Sequence, residues 1–504
     1  MSARRSHPAL TRRRFLGHLG AVGGSSLVMT AMSSWDLMAG AAGQRPALEG
    51  RPRAAKVIVI GAGISGLVVG YELGKLGYDF RILEARGRVG GLAWTIRRGS
   101  EHTETSGERQ VCSFDDGQHF NAAAWRIPYS HTGILNYCKE LGVPLQMFVN
   151  ESDASYFYYE GAGPLSNRRV RLREVKADII GHTSELLAKA IDQRSLDLPL
   201  TDDDRKRLVD FLVGHGYLDS SDHRYKAFAD RGPGDPYAFD ALLRSGYGTR
   251  MRSIAPPDGT QAAPMFHPVG GMDQIPRAFQ RAIGNTRITL GADVQSVHQD
   301  DRGVTVTYVS SGSRTRTEVS ADFVVVCMPF SVLAGVDINL SPAMTAAVRA
   351  TTYSNSAKVG LAMKRRFWEE DDQIFGGHLY SNLPLGEFSY PSSDYFSKKG
   401  VLLGLYVHAP IADLADRPVS GRVEHVLTTR AKCIRRSAAS SKAPMPCGGR
   451  RCRTAWAALP RARRPRGWRS SPRSTTASSS GRRPRRRTPN PTGRKAQWRR
   501  RGRR

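Results

Sequence analysis

The chain has 504 residues, 40% hydrophobic and 24% charged, enough to bury several cores and to form about two to four structural units. Its formal net charge of +30 at pH 7 would ordinarily point to polyanionic partners, but the charge is concentrated at one end. Residues 430–504 hold 26 of the 75 lysines and arginines and Glu424 is the last acid, which leaves 49 basic against 45 acidic residues elsewhere, a net of +4. The six cysteines (Cys112, Cys138, Cys327, Cys433, Cys447 and Cys452) are too few for a disulfide framework and lack zinc spacing, so no metal site is expected.

Residues 1–41 differ in character from the rest of the chain. In "TRRRFLGHLGAVGGSSLVMTAM", Arg12, Arg13, Arg14, Phe15 and Leu16 precede a weakly apolar, Gly-rich run, and Ala39-Gly40-Ala41 supplies a small-residue cleavage site. This resembles a twin-arginine export signal. The resemblance implies that the twin-arginine machinery is a partner, that the protein is exported folded with its cofactor already loaded, and that its destination is periplasmic or extracellular. The run holds too many Gly and Ser residues to make a stable membrane span, and no other stretch is long and apolar enough for one.

The next segment, "KVIVIGAGISGLVVGYELGKLGYDFRILEARGRVGG", predicts a strand over Lys56–Ile60, a helix over Leu67–Leu76 that stops at Gly77, and a second strand over Phe80–Leu83. Gly61, Gly63 and Gly66 stand between them at G-x-G-x-x-G spacing. Gly61 permits the tight turn, Gly63 lets the backbone approach a pyrophosphate, and Gly66 lets helix and strand pack closely. The diphosphate then meets the N–H groups and positive end of the helix, and Glu84, at the tip of the second strand, can accept both ribose hydroxyls. In this strand, loop, helix, strand, acid order the motif reads as dinucleotide binding, a nicotinamide or a flavin being the alternatives.

The continuation through Ala85, Arg86, Arg88, Gly90 and Gly91 resembles the flavin amine oxidase family, which includes L-amino-acid oxidases and monoamine oxidases. In that family this run lies along the diphosphate and ribityl chain of FAD. A nicotinamide dehydrogenase does not predict the second glycine run. Leu92 departs from the pattern, since the family usually carries Arg there, and one contact on the flavin side is lost with it.

Further landmarks extend the resemblance over about residues 55–430. "FDDGQHFNAAAWRIPYSH" is similar to the family segment whose arginine, in L-amino-acid oxidases, clamps the substrate carboxylate. Arg126 takes that place, and a guanidinium fork suits it because two parallel charge-assisted hydrogen bonds match a carboxylate. An arginine capping a loop is the other reading. "APMFHPVGGMDQIPRAF" resembles a second flavin-contacting segment, with Gly270, Gly271 and Met272 allowing close backbone approach, and Val294 matches the position whose backbone meets the adenine. "ADFVVVCMPFSVL" reads as a buried strand with Cys327 a small core residue. In "YSNSAKVGLAMKRRFWEED", Lys358 matches the lysine that holds a water beside flavin N5, where a cation stabilises developing negative charge. A snorkelling surface lysine is the alternative.

The fold class this implies is α/β. An FAD-binding Rossmann-type domain is built from separate segments (55–110 and 260–330), beside a mixed-sheet substrate domain (111–164 and 331–430) and a helical insertion (165–245) that could wall the substrate entrance. The reaction implied is oxidation of the C–N bond of an L-amino acid with FAD and oxygen, giving the imine, then the 2-oxo acid and ammonia, with hydrogen peroxide. A monoamine or polyamine is the alternative substrate, and a secreted basic protein that binds polyanions is the alternative outside enzymes. The sequence does not give the oligomeric state.

Residues 431–504 contain Arg, Pro, Ser and Ala without acids or apolar periodicity. A specific nucleic-acid tail is one reading, and GC-rich coding DNA read in the wrong phase is the favoured one. Back-translating Ala431–Trp456 with permitted codons and reading two nucleotides out of phase can yield "KVHPQIRSEFESAYAVWW", and treating Thr492–Arg499 in the same way gives "WQEGAME". Family members end with a third flavin-binding segment, an Ala-Gly-Glu stretch and a Trp-x-x-Gly-Ala helix, and "WQEGAME" is of that kind. The expectation is a frameshift near codon 430, a low-complexity tail that does not fold, and weak FAD binding or none.

Overall fold

The computed structural model describes residues 54–434, apart from 105, 162, 196–200, 228–233, 248–263, 354–355, 385, 409–413 and 415–416, together with the backbone of Cys452–Ala458. The export signal and nearly all of the tail lie outside the described residues.

Two sheets organise the body. The first begins with β1 (Lys56–Ile60), followed by α1 (Ile64–Lys75) and β2 (Asp79–Glu84). Much later come α2 (Gln274–Ile283), β3 (Ile288–Leu290), β4 (Ala292–Asp300), β5 (Gly303–Ser310) and β6 (Phe323–Val326). The order β3-β2-β1-β6 is parallel throughout, with Ile58 opposite Arg81 on one side and Val324 on the other. A β-branched run suits β1 because it is central, and Val57 to Ile60 are all buried. Gly70 lets α1 lie close to the sheet, since a Cβ there would meet Ile82 at 2.7 Å and Phe80 at 2.9 Å. The Rossmann-type sheet is therefore assembled from segments more than 200 residues apart. The sequence predicts a buried strand at β6; it is instead the edge strand, and Phe323 is 61% exposed.

The second sheet has seven strands. They are β7 (Ser356–Met363), β8 (His378–Ser381), β9 (Glu387–Ser389), β10 (Gly400–His408) and β11 (Cys452–Ala458), with two earlier strands, Tyr156–Tyr158 and Arg169–Arg171. From Arg169–Arg171 the order runs Tyr156–Tyr158, β8, β9, β10, β7, β11. Val359, Leu361, Trp368 and Leu405 form its core with Val426 of α3 (Val419–Ile434). The guanidinium of Arg422 on that helix is buried against Glu104 at 2.5 Å, a pair that tolerates burial only because both charges are matched.

Two expectations about boundaries change. The sequence starts the insertion at 165, yet Arg169–Arg171 belongs to the seven-stranded sheet; the insertion's helices are Leu172–Asp192, Asp202–Gly216 and Phe239–Arg244. The composition of the tail predicts no fold, yet β11 pairs antiparallel with β7, Gly360 opposite Trp456. An open strand edge asks only for backbone donors and acceptors, so composition is no guide to that pairing.

Candidate functional site

The first part of the site is a cradle made of backbone. Gly61 has φ +101° and donates its N–H to Leu83 O at 2.7 Å, which turns the chain from β1 into α1. A Cβ on Gly66 would stand 1.9 Å from Gly61 O, so this position excludes any larger residue. Gly63 is the N-cap of α1, without a side-chain cap and without an acid in the first turn, and a Cβ on it would meet nothing within 4 Å. Open space in front of uncapped helix N–H groups is what a diphosphate requires. The second glycine run closes on the same loop: Gly90 donates to Ala62 O at 2.7 Å, and a Cβ on Gly91 would lie 3.2 Å from Gly63 Cα.

Glu84 is buried at the tip of β2, where its carboxylate accepts from the N–H of Ala62 at 2.8 Å and of Arg86 at 2.9 Å. Ala85 and Arg86 are exposed beside it. Arg88 donates to the carbonyl of Gly91 at 3.1 Å and stacks over Trp94; burial pushes its guanidinium down to about 10. Val294 packs with Ile58, Ile60 and Leu83 near the end of β2 that carries Glu84. Leu92 is 67% exposed.

The Gly270-Gly271-Met272 turn joins this cradle through a polar relay. Gly271 has φ +112° and no room for a Cβ, which would meet Thr95 at 2.4 Å. The hydroxyl of Thr95 donates to Asn121 Oδ1 at 2.8 Å and accepts from Asp273 N at 3.1 Å, while Met272 N donates to Asn121 at 3.0 Å. Arg97 clamps the turn, donating to both oxygens of Asp273 and to Gly270 O. Desolvation alone would raise the Asp273 carboxyl, but the Arg97 cation and its hydrogen bonds override it and hold the pKa below the ordinary carboxylate value. These residues could hold FAD: an open glycine turn at a helix N-terminus would suit its diphosphate, a buried acid at a strand tip its ribose, and the second glycine turn a close backbone approach.

The second part is made of side chains gathered around Trp125. Arg126 lies 4.9 Å from the indole centroid, and Lys358, on β7, lies 5.3 Å from it and 4.4 Å from the ring of Tyr406 on β10. Lys358 is 4% exposed and donates to Ala123 O at 2.5 Å. It is therefore a buried cation held on aromatic faces. His378, on β8, packs 5.4 Å from Trp125; its Nε2 donates to Asn150 Oδ1 at 3.2 Å, so Nδ1 accepts from the Ser389 hydroxyl. Burial first, then the Arg126 cation, push its pKa down to about 3, so this histidine is a neutral hydrogen-bonding post.

Sequence reasoning missed Tyr406, His378, Asn150, Asn121, Thr95 and Arg97. None sits in a spacing pattern, and only the pairing of distant strands brings them in. Cys327, on the turn after β6, packs partly buried near Gly66, and burial raises its thiol pKa, which does not suit a nucleophile. Among the described residues no cluster of His, Cys, Asp and Glu could hold a metal, and no helix is long and apolar enough to cross a membrane.

The chain is similar to the L-amino-acid oxidase of Pseudechis australis, 28% identical over 361 residues, which is 69% of this chain and 65% of the relative. It is likewise similar to that of Echis ocellatus, 28% identical over 375 residues, which is 69% of this chain and 66% of the relative. The match thus spans about two thirds of the length of these relatives. In structure it resembles cyclohexylamine oxidase from Brevibacterium oxydans IH-35A, with a TM-score of 0.48 and 17% identity over 81% of this chain and 85% of the other. It also resembles a putrescine oxidase, with a TM-score of 0.47 and 19% identity over 75% and 81%. A family model described as flavin containing amine oxidoreductase matches residues 64–463, running past Arg430, beyond which the sequence predicts no family likeness. With Gly66, Gly90 and Gly91 of the glycine cradle and the lysine and arginine around Trp125 inside that match, the chain belongs to the flavin-containing amine oxidoreductase family.

Proposed function

We propose that the protein oxidises the C–N bond of an L-amino acid with FAD and oxygen. The observation that carries this reading is the pair of cations on one indole: Arg126 and Lys358 beside Trp125, close to a neutral His378. FAD, when bound, supplies the two-electron acceptor and the reaction with oxygen. Arg126 binds the substrate carboxylate through its fork and so orients the α-carbon. His378, with its pKa pushed down by burial and by Arg126, stands beside that cation as a neutral hydrogen-bonding group. Lys358, fixed by Ala123 O and two rings, provides positive charge where negative charge develops and positions a water. The likeness to L-amino-acid oxidases supports an amino acid over an amine. Hydrogen peroxide release with L-phenylalanine against phenethylamine tests this: release with the amine alone removes the carboxylate role.

Two parts of the proposal concern residues outside those described. The N-terminal segment directs twin-arginine export, which Arg12→Lys with Arg13→Lys blocks if the receptor reads the pair; unchanged export of the double variant disproves it. The tail from residue 431 is read out of phase, so the 504-residue chain binds FAD weakly. Resequencing around codon 430 tests the first half, and the flavin absorbance of the purified chain tests the second.

A further inference from the structure

A cavity of about 460 Å³ adjoins the centre and shares the Trp125 side chain with it. Phe120, Phe148 and Leu403 line it too, with the buried His267 edge-on to Phe148 at 5.5 Å. The charged groups around it are largely engaged with one another: Asp115 with Lys399 at 2.5 Å, Asp116 with Arg98 at 2.8 Å, and Arg366 with Glu369 at 2.5 Å. A charged ligand would therefore have to break an existing pair. Another side is the loop between β9 and β10, which contributes Ser393, Asp394 and the run from Ser397 to Lys399. Its base is fixed. The buried guanidinium of Arg366 donates to the carbonyl of Ser393 at 2.9 Å and to that of Lys399 at 3.3 Å, and so ties the two ends of the loop together. Its tip is strained. Phe396 has φ +63° and is 84% exposed, its ring leaning on Phe375 at 5.4 Å and its N–H donating to Glu369 at 2.9 Å. An exposed phenylalanine is ordinary by itself. One whose backbone also lies in the left-handed region is an outlier, and strain of this kind gathers at ligand clamps and switches.

We propose that residues 394–398 form a lid on this cavity, and that Phe396 turns in to cover an apolar group bound there. The proposal rests on the oxidase reading only for the identity of that group, the apolar end of a substrate whose carboxylate meets Arg126. Ser393 and Lys399 are the hinges, because Arg366 holds their carbonyls while the residues between them move. Leaving the left-handed region redirects the side chain, relieves the strain, and exchanges contact between ring and water for contact between ring and ligand. Glu369 gives up the Phe396 N–H but keeps Arg366, so closure leaves no charge unpaired. A lid that shuts on an apolar group also keeps water from the neighbouring centre.

The test is chymotrypsin cleavage of the purified full-length chain, which needs neither turnover nor flavin, with the cut after Phe396 followed by mass spectrometry. The probes are benzoate, which has a ring and a carboxylate but no C–N bond to oxidise, and toluene, which has the ring alone. The expected result is that each probe slows this cut about tenfold, because only the open lid is cleaved. The cut after Tyr217, an exposed residue on the helical insertion, should keep its rate. Phe396→Ala should weaken toluene binding, measured by ligand-observed NMR, about tenfold, while Phe396→Leu retains most of it. A rate after Phe396 that stays unchanged up to the solubility limit of both probes overturns the lid. So does equal slowing at Tyr217, which marks general stabilisation, or an unaltered toluene affinity in Phe396→Ala. Protection by toluene and not by benzoate keeps the lid and removes the carboxylate role of Arg126 instead, so failure of the oxidase reading is told apart from failure of the lid.

Discussion

The glycine cradle and the centre at Trp125 sit in the same body and are built on opposite principles. In the cradle the chemistry belongs to the backbone, and the side chains matter chiefly by being absent: Gly66 has no space for a Cβ, and Gly63 leaves open the space a phosphate would take. In the centre the backbone chiefly delivers side chains, from β7, β8, β10 and the segment before Ile127, and Lys358 is held by two rings and a carbonyl. A site made of missing atoms tolerates almost no addition. One made of converging side chains is vulnerable to removal instead.

Removal should show first at Arg126. In the flavin-loaded protein, Arg126→Ala loses a carboxylate pair, which costs roughly 2 to 5 kcal/mol, or about 1.5 to 3.5 orders of magnitude in affinity for amino acids. The matching amines should lose little. Equal losses for both substrates, measured as kcat/KM, would make the arginine structural and blur the contrast between the two regions.

Addition should show next at Gly66. A methyl group 1.9 Å from Gly61 O forces the turn apart, so Gly66→Ala should cost about 3 kcal/mol in urea unfolding. A stability within error of the parent would mean that the loop relaxes and that the cradle is not the rigid half.

Acid should act on the side-chain half. His378 and His267 have pKa values of about 3 and 4, below the unfolded value near 6.5. Between those limits the unfolded chain binds protons that the folded chain refuses. Stability from these groups is thus complete above pH 6.5 and is lost as pH falls, by about 1.4 kcal/mol per unit for each histidine. Melting curves from pH 7 to pH 5 read this out, and His378→Gln should flatten part of the slope. An unchanged slope places the proton uptake elsewhere.

The smallest effect sharpens the comparison most. Gly63→Ala meets nothing within 4 Å and lies at an ordinary φ of −67°, so folding should change by less than about 0.5 kcal/mol. FAD retention should nonetheless fall, because the methyl group enters the diphosphate's space. Normal FAD binding by this variant would move the cofactor off that loop.

The same contrast explains what could be read in the sequence. Backbone geometry leaves a local trace, because a turn with positive φ and a close approach demand glycine at fixed spacing; Gly61, Gly63, Gly66, Gly90 and Gly91 were therefore legible, as were β1, α1 and β2. The insertion's helices were legible from their leucine and charge spacing. Lys358 and Arg126 were found only through resemblance to a family. Tyr406, His378 and His267 left no trace, since a lone aromatic or histidine acquires meaning only when strands distant in sequence pair. The edge position of β6 was hidden for a related reason: four consecutive apolar residues describe a hydrophobic strand without saying which neighbours it has.

That edge leads to an expectation for the protein as a solute. β6 ends the parallel sheet with no strand beyond it among the described residues, and its run of Phe and three Val carries no charge to discourage an added strand. Phe323 at 61%, Phe330 at 43% and Tyr353 at 53% exposure extend the apolar surface beside it. Two copies meeting at such an edge need not unfold first, so clustering should begin from the native state. It should then grow with the square of protein concentration and be insensitive to ligands that raise the melting temperature.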